Sequence, residues 1–387
     1  LAYTFSASGI SLQDSVSIKD TYDCANGTLG INYGVWNNVS RTCTLTKNIT
    51  GTFKAVEIAV SNITLDCANH NITGEYYTDS AGILAKYKNN VKIKNCNVEG
   101  FIYGIYLLYS NFNTLENNKA SKSENGIHLE FSSVNRLENN LASFNFGGIR
   151  LTYADHNILI NNQIRHNTPR NVFLAGISLY TSYNNTLKNN VMVNNTFNLL
   201  VSDLFDEVID TSNTVDGKPV YYIKYANNQV FDSSTNAGTF YCIICNNVVI
   251  KDLTLNNNGF GLYLWKTNNS IVQNIIAANN SQDGIKLFES NFNSLSQIIA
   301  RNNSHLGVYF LKSFNNSISS STVNTNSKWG IALDRASYNL VNQNTANNND
   351  AGIALFSSPS NILANNTLNN NRFDGIYFEQ SNENSIT

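Results

Sequence analysis

A glycine followed by an aliphatic residue recurs along this chain at nearly constant spacing. Gly82, Gly104, Gly126, Gly148 and Gly176 lie 22, 22, 22 and 28 residues apart, and Gly261, Gly284, Gly307, Gly330, Gly352 and Gly375 follow at 23, 23, 23, 22 and 23. The phrase they open is typified by Gly126-Ile127-His128-Leu129 and Gly330-Ile331-Ala332-Leu333. A unit this short cannot bury an apolar face alone, so each must stack on its neighbours. The length of 387 residues would otherwise suggest two or three domains, but a solenoid grows without needing a second core.

Residues 111–132 show what one unit contains. Asn113-Thr114-Leu115 starts one strand, Lys119-Ala120-Ser121 a second, and Gly126 to Phe131 a third, with Asn and Ser clusters between them as turn chemistry. Three short strands per unit predict an all-β chain: a right-handed, single-stranded parallel β-helix of about 12 coils stacked about 4.8 Å apart. An N-terminal cap is expected over 1–60, with Leu1 to Phe5 as an apolar strand candidate. Coils follow over 61–203, an inserted β-hairpin excursion over 204–245, and further coils over 246–387. Within the insertion Asp216-Gly217 reads as a turn. Extra residues around Arg165 to Val172 read as a surface loop. The last residues begin a new coil and stop within it, which leads to the expectation of further polypeptide or of a docked copy there.

Two asparagine columns are expected to run along the corners. The first is Asn90, Asn113, Asn135, Asn157 and Asn185, continued by Asn247, Asn269, Asn293, Asn316, Asn339, Asn361 and Asn384. The second is marked by Asn-Asn pairs such as Asn117-Asn118, Asn139-Asn140, Asn279-Asn280 and Asn302-Asn303. Asn tolerates left-handed corners, and its amide can bond to the Asn above and below. In the third strand, the first and third residues after glycine point inward and the second and fourth outward. The outward columns carry Tyr180, Tyr263, Trp265, Phe288, Tyr309, Leu311, Phe356 and Tyr377, an aromatic surface open to three readings: cover for the chain's own insertion, a sugar-stacking platform or a subunit interface.

Charged residues are 13% of the chain and the formal net charge is −2, so no field attracts nucleic acid or anionic lipid. No apolar run reaches the length of a membrane span, and the chain begins at Leu1 without a basic leader, as a processed or excerpted chain would. Cys24 and Cys43 suit a disulfide stapling the cap, while Cys67 and Cys96 could bridge one coil apart or remain buried thiols. Asn-X-Ser/Thr glycosylation sequons stand at Asn26, Asn38, Asn48, Asn62, Asn71, Asn184, Asn194, Asn268, Asn279, Asn302, Asn315 and Asn365. With paired cysteines they favour an extracellular or cell-surface chain.

The phrase Asn-Asn-Thr/Ser-aliphatic followed by Gly-Ile-X-Leu, with Gly-Lys-Pro-Val-Tyr-Tyr at 217–222, resembles the NosD-type, or carbohydrate-binding and sugar-hydrolase, β-helix family over about residues 55–387. Ile63 to Cys67 and Val91 to Cys96 are similar to its archaeal cell-surface members. The resemblance implies the fold, and it spans polysaccharide-acting enzymes, copper-maturation proteins and surface proteins. Glycoside cleavage needs two carboxylates within several ångströms. There is no Asp-Asp pair, and Glu116 and Glu138, one coil apart, read as solvated surface. Copper would want converging Met, Cys or His, yet His70, His128, His156, His166 and His305 occupy different coils, and Cys242 and Cys245 would face opposite ways in a strand. The acids Asp203, Asp206 and Asp210 could gather Ca²⁺ or form a solvated loop. The leading expectation is a non-catalytic extracellular structural protein, self-associating into a surface layer or filament. The alternative is a cell-surface polysaccharide-binding or polysaccharide-cleaving protein, and the third is copper maturation.

Overall fold

In the unit read above, Thr114–Glu116, Lys119–Ser121 and Asn125–Glu130 are the three strands. The computed structural model describes residues 16–18, 24, 26–27, 32–171, 173–202 and 206–387. Each strand pairs in parallel with its counterparts one turn away: Leu115 lies between Ile93 and Leu137, Ala120 between Val98 and Ala142, and Ile127 between Ile105 and Ile149. Because every pairing advances one period, inward residues form continuous buried columns such as Leu107, Leu129, Leu151 and Leu179. Single left-handed residues turn the corners, among them Phe112, Asn117, Lys122 and Phe131 with φ between 46° and 58°.

The glycines of the repeat are required by close approach. A Cβ on Gly330 would stand 2.6 Å from the carbonyl oxygen of Gly352, and one on Gly104 2.4 Å from that of Gly126. Each turn's third strand thus rests directly on the backbone of the next.

The glycine-face strands form two stacks of eight, from Val16–Ile18 to Leu199–Ser202 and from Lys218–Lys224 to Asp374–Glu379. The described residues therefore form sixteen turns where glycine counting predicted about 12. Several added turns lack the glycine phrase. Within 204–245, Lys218–Lys224 pairs in parallel with Thr239–Ile243, which pairs with Leu262–Trp265. Val220 and Thr239 stand in register with Gly261, so these strands form the opening turns of the second stack. A two-residue turn at Asp216 and Gly217, both at positive φ (47° and 78°), links them antiparallel to Thr214–Val215.

The two stacks have separate hydrophobic cores, and Thr239–Ile243 serves both. Its inward Phe240 and Cys242 join the second core, while its outward Tyr241 and Ile243 join the first. Tyr222 and Tyr263, outward on the neighbouring turns, also join the first core. The second solenoid therefore lays one outward face across the end of the first. Gly259 donates its backbone N–H to Leu199 O at 2.7 Å, and a Cβ there would fall 2.5 Å from Leu200 Cδ1.

At the N-terminal end, Gly34–Asn37 pairs antiparallel with Thr42–Leu45, which then pairs in parallel with Thr64–Asp66. Leu1 to Phe5 lie outside the described residues. Cys24–Cys43 and Cys67–Cys96 are disulfides. Cys242 and Cys245, expected to face apart, are also bonded. The strand ends at Ile243, and left-handed Ile244 (φ 55°) swings Cys245 back into the core.

Candidate functional site

Three amide ladders run along the corners. In the first, the backbone N–H of Asn113 donates to Asn135 Oδ1 at 2.8 Å, Asn135 to Asn157 and Asn157 to Asn185, each also at 2.8 Å. The side-chain amide donates both ways: Asn135 Nδ2 bonds to the Ser110 carbonyl and to Asn157 Oδ1, each at 3.1 Å. Asn293, Asn316, Asn339, Asn361 and Asn384 repeat the pattern in the second solenoid. Asn90, Asn247 and Asn269 stand one residue earlier, as exposed left-handed corner residues, with Val91, Val248 and Ser270 in the ladder position. Asn118, Asn140, Asn162, Asn190 and Asn213 form the second ladder. Asn280 and Asn303 belong to a third ladder, with Asn258, Asn326 and Asn349.

The outward glycine face of the first solenoid carries a polar cluster. In the second position after glycine, Tyr106, His128, Arg150 and Ser178 follow one another in register; in the fourth, Leu108, Glu130, Thr152 and Tyr180 do. The register stacks Tyr106 on His128 with centroids 5.3 Å apart, and Tyr103 on Tyr106 at 4.3 Å. Tyr106 donates its hydroxyl proton to Glu130 Oε2, and His128 Nε2 lies 3.2 Å from Thr152 Oγ1. Burial, with the Arg150 charge beside it, pushes the His128 imidazole down to about 3, so it is neutral across the physiological range. Two loops edge this face. Tyr76 of one and Arg170 of the other meet at Phe146, where the guanidinium lies 3.6 Å over the ring.

Among the described residues, eight buried side-chain polar atoms have no hydrogen-bond partner. Four of them belong here: Asn125 Oδ1, His128 Nδ1, Arg150 Nε and Ser178 Oγ, while the Tyr76 hydroxyl beside them faces Glu124. Unpartnered buried polar groups are costly, so their concentration on one face marks it out. The cluster holds a guanidinium, a carboxylate, phenols and a neutral imidazole on adjacent turns. It can offer donors and acceptors to a hydroxylated ligand and a positive charge to an acidic one. Reading the second-position column turn by turn would have found it, because the 22-residue register brings His128 and Arg150 together.

The aromatic columns of the second solenoid divide. Tyr263 is buried at the joint, and Trp265 and Phe288 are half-buried against the first core. Tyr309, whose hydroxyl donates to Asp334 Oδ2 at 2.9 Å, Leu311 and Phe356 are half-buried, and Tyr377 is exposed. Tyr180 packs edge-on against Phe173 with centroids 6.2 Å apart.

The remaining candidates sit at corners and in loops. The sequon asparagines Asn38, Asn48, Asn62, Asn71, Asn184, Asn194, Asn279, Asn302, Asn315 and Asn365 are exposed and Asn268 is half-buried. The side chain of Asn26 lies outside the described residues. Glu116 pairs with Lys92 and Glu138 with Arg136. Asp203 also falls outside the described residues. Asp210 accepts from the Ser212 backbone at 3.1 Å, and Asp206 presents its carbonyl to Lys224 at 3.4 Å. Among the described residues, no group of three or more His, Cys, Asp or Glu side chains could hold a metal ion.

Comparison with known families gives two descriptions. "Right handed beta helix region" matches residues 8–164 and 81–237, and "Periplasmic copper-binding protein (NosD)" matches residues 205–387. No curated protein matches. Among solved structures, the chain is similar to the periplasmic alginate epimerase AlgG, at 11% identity and TM-score 0.34 over 90% of this chain and 78% of that one. It is similar to the A-module of the Azotobacter vinelandii mannuronan C-5 epimerase AlgE4, at 14% identity and TM-score 0.27 over 89% and 78%. It is also similar to the Dettilon tailspike protein, at 11% identity and TM-score 0.31 over 87% and 61%. Sixteen stacked turns, three corner ladders and the two family matches lead to one assignment. The chain belongs to the right-handed parallel β-helix family, and its residues 205–387 are similar to the NosD description.

Proposed function

We propose that this protein is an extracellular β-helix that binds polysaccharide on the outward face of its first solenoid. The observation that carries the reading is the convergence of Tyr103, Tyr106, His128, Glu130 and Arg150 with four unpartnered polar atoms. A sugar chain lying along this face meets the half-buried Tyr103, Tyr106, Glu130 and Arg150, with the unpartnered atoms beneath them, and Arg150 supplies a charged donor to an acidic polymer. Three disulfides and sequons at exposed corners support an oxidising, extracellular setting. A glycan array of acidic and neutral polysaccharides tests the proposal. Binding to an acidic polymer should weaken about tenfold or more in Arg150→Ala, because a charge-assisted bond is lost. Binding that survives this change unaltered removes the site from the proposal. Reducing ends or unsaturated sugar products would add catalysis to binding.

A second reading, a subunit of a surface layer or filament, is favoured by a different feature. Tyr87, Tyr109, Phe131 and Tyr153 are exposed and stack face to face at one corner, with centroids 4.8–5.1 Å apart. Rings stacked on one another turn their edges outward, which suits an apolar protein contact more than sugar stacking. Copper maturation, suggested by the NosD description, does not fit the described residues. All six cysteines are in disulfides, and Met192 is buried in the first core.

A further inference from the structure

Near the far end of the second solenoid the outward glycine face carries small residues between large ones. Ala351 lies in register between Trp329 and Asp374, and the second-position column reads Ala332, Ala354, Tyr377. Alanine lets the face sink while its neighbours stay tall. The result is a hollow of about 490 Å³ walled by Trp329, Phe356, Phe373 and Tyr377 and edged by Asp350, Asp374 and Glu379. Its volume falls in the range of small-ligand sites.

The walls have a particular arrangement. Trp329 and Phe356 have centroids 4.4 Å apart and planes inclined by 38°, and Phe356 and Tyr377 are 5.5 Å apart and inclined by 41°. Rings so close pack on one another in a tilted row along one side of the hollow, so each gives it an edge and part of a face, whereas a sugar ring stacks best on a single open face. The polar groups are carboxylates, which only accept hydrogen bonds and repel anions. Asp350 is paired with Arg372 at 3.7 Å, and Arg372 itself lies 4.8 Å over the Phe373 ring. Among the described residues, the Glu379 carboxylate accepts the Tyr377 hydroxyl at 3.1 Å and neither it nor Asp374 makes an ion pair. The hollow therefore keeps an unneutralised negative charge beside aromatic faces. That combination attracts a cation with apolar surface.

We infer that this hollow binds an alkylated ammonium group, of the kind carried by choline or by a trimethylated lysine. Its methyl groups meet the ring faces and its charge meets Asp374 and Glu379. The site lies on the second solenoid, and the inference stands or falls independently of polysaccharide binding by the first.

Calorimetric titration of the full chain with tetramethylammonium chloride, choline and a peptide carrying trimethyllysine tests it, with tryptophan fluorescence as a second signal. Saturable binding is expected, about tenfold or more tighter than for the uncharged tert-butyl analogue of choline. Preference for choline identifies a small-molecule source, and preference for the peptide a protein one. Phe356→Ala and Asp374→Asn should each weaken binding about tenfold, and Ala351→Leu should abolish it by filling the hollow. Asp374 is exposed, so its variant keeps the test open if either of the others loses its β circular-dichroism spectrum. The inference is overturned by three results: no saturable binding of any probe, equal affinity for the uncharged analogue, or unchanged affinity in folded variants.

Discussion

Asparagine does two different jobs at these corners, and adjacent residues do them. One Asn takes the left-handed turn and faces solvent, as Asn184 does at φ 55°; the next, Asn185, is buried in the ladder. This pairing is legible as Asn-Asn, but which member does which job depends on register, so Asn90, Asn247 and Asn269 are displaced from the predicted column. It also explains sequons such as those at Asn184 and Asn315, where a corner Asn, a ladder Asn and a strand-opening Thr or Ser follow one another. Glu207 occupies the last rung of the first ladder in this solenoid, accepting from the Asn185 backbone at 2.7 Å and its amide at 3.3 Å. Burial raises its carboxyl to about 8 despite those bonds. A raised carboxyl contributes stability that is complete below the ordinary carboxylate range and is lost as pH rises through about 8. Glu207→Gln should remove that dependence. Denaturant titrations from pH 5 to pH 9 should show the parent losing on the order of a few kcal/mol relative to the variant. Parallel curves would mean that Glu207 does not titrate with folding.

At the scale of the element, one strand deciding between two cores was not predictable from its sequence. Thr-Phe-Tyr-Cys-Ile at 239–243 reads as a strand because four of its five residues are β-branched or aromatic. Alternation predicts that one set of side chains faces out, yet all five residues are buried. The reason is that the end of the first solenoid covers the outward set. Tyr241 is its deepest member, with its hydroxyl 3.5 Å from the Val201 backbone nitrogen. Tyr241→Ala should therefore cost about 3 kcal/mol or more and loosen the joint. Differential scanning calorimetry is expected to show a lowered melting temperature, with the two solenoids melting apart. An unchanged single transition would show that the joint does not couple them. Of the outward aromatic surface, which the sequence left open to three readings, only Tyr263, Trp265 and Phe288 are covered at the joint. The covering element proves to be a solenoid end.

For the whole molecule, the exposed stack of Tyr87, Tyr109, Phe131 and Tyr153 predicts association if the second functional reading holds. Negative-stain microscopy of concentrated protein should then show ordered polymers that disappear in Tyr109→Ser, whereas isolated particles at every concentration would remove that reading. The sequence by itself determined the coil, its three strands, which side chains face inward and the amide-lined corners. These follow from a period too short to bury its own apolar face, so stacking in register is the only solution. The tertiary structure alone decided that there are two solenoids instead of one, which aromatics are buried at their joint, and which polar atoms around His128 and Arg150 are left without partners. A repeat specifies contacts between neighbouring turns. The joint and the loops that edge the cluster bring together residues with no periodic relation.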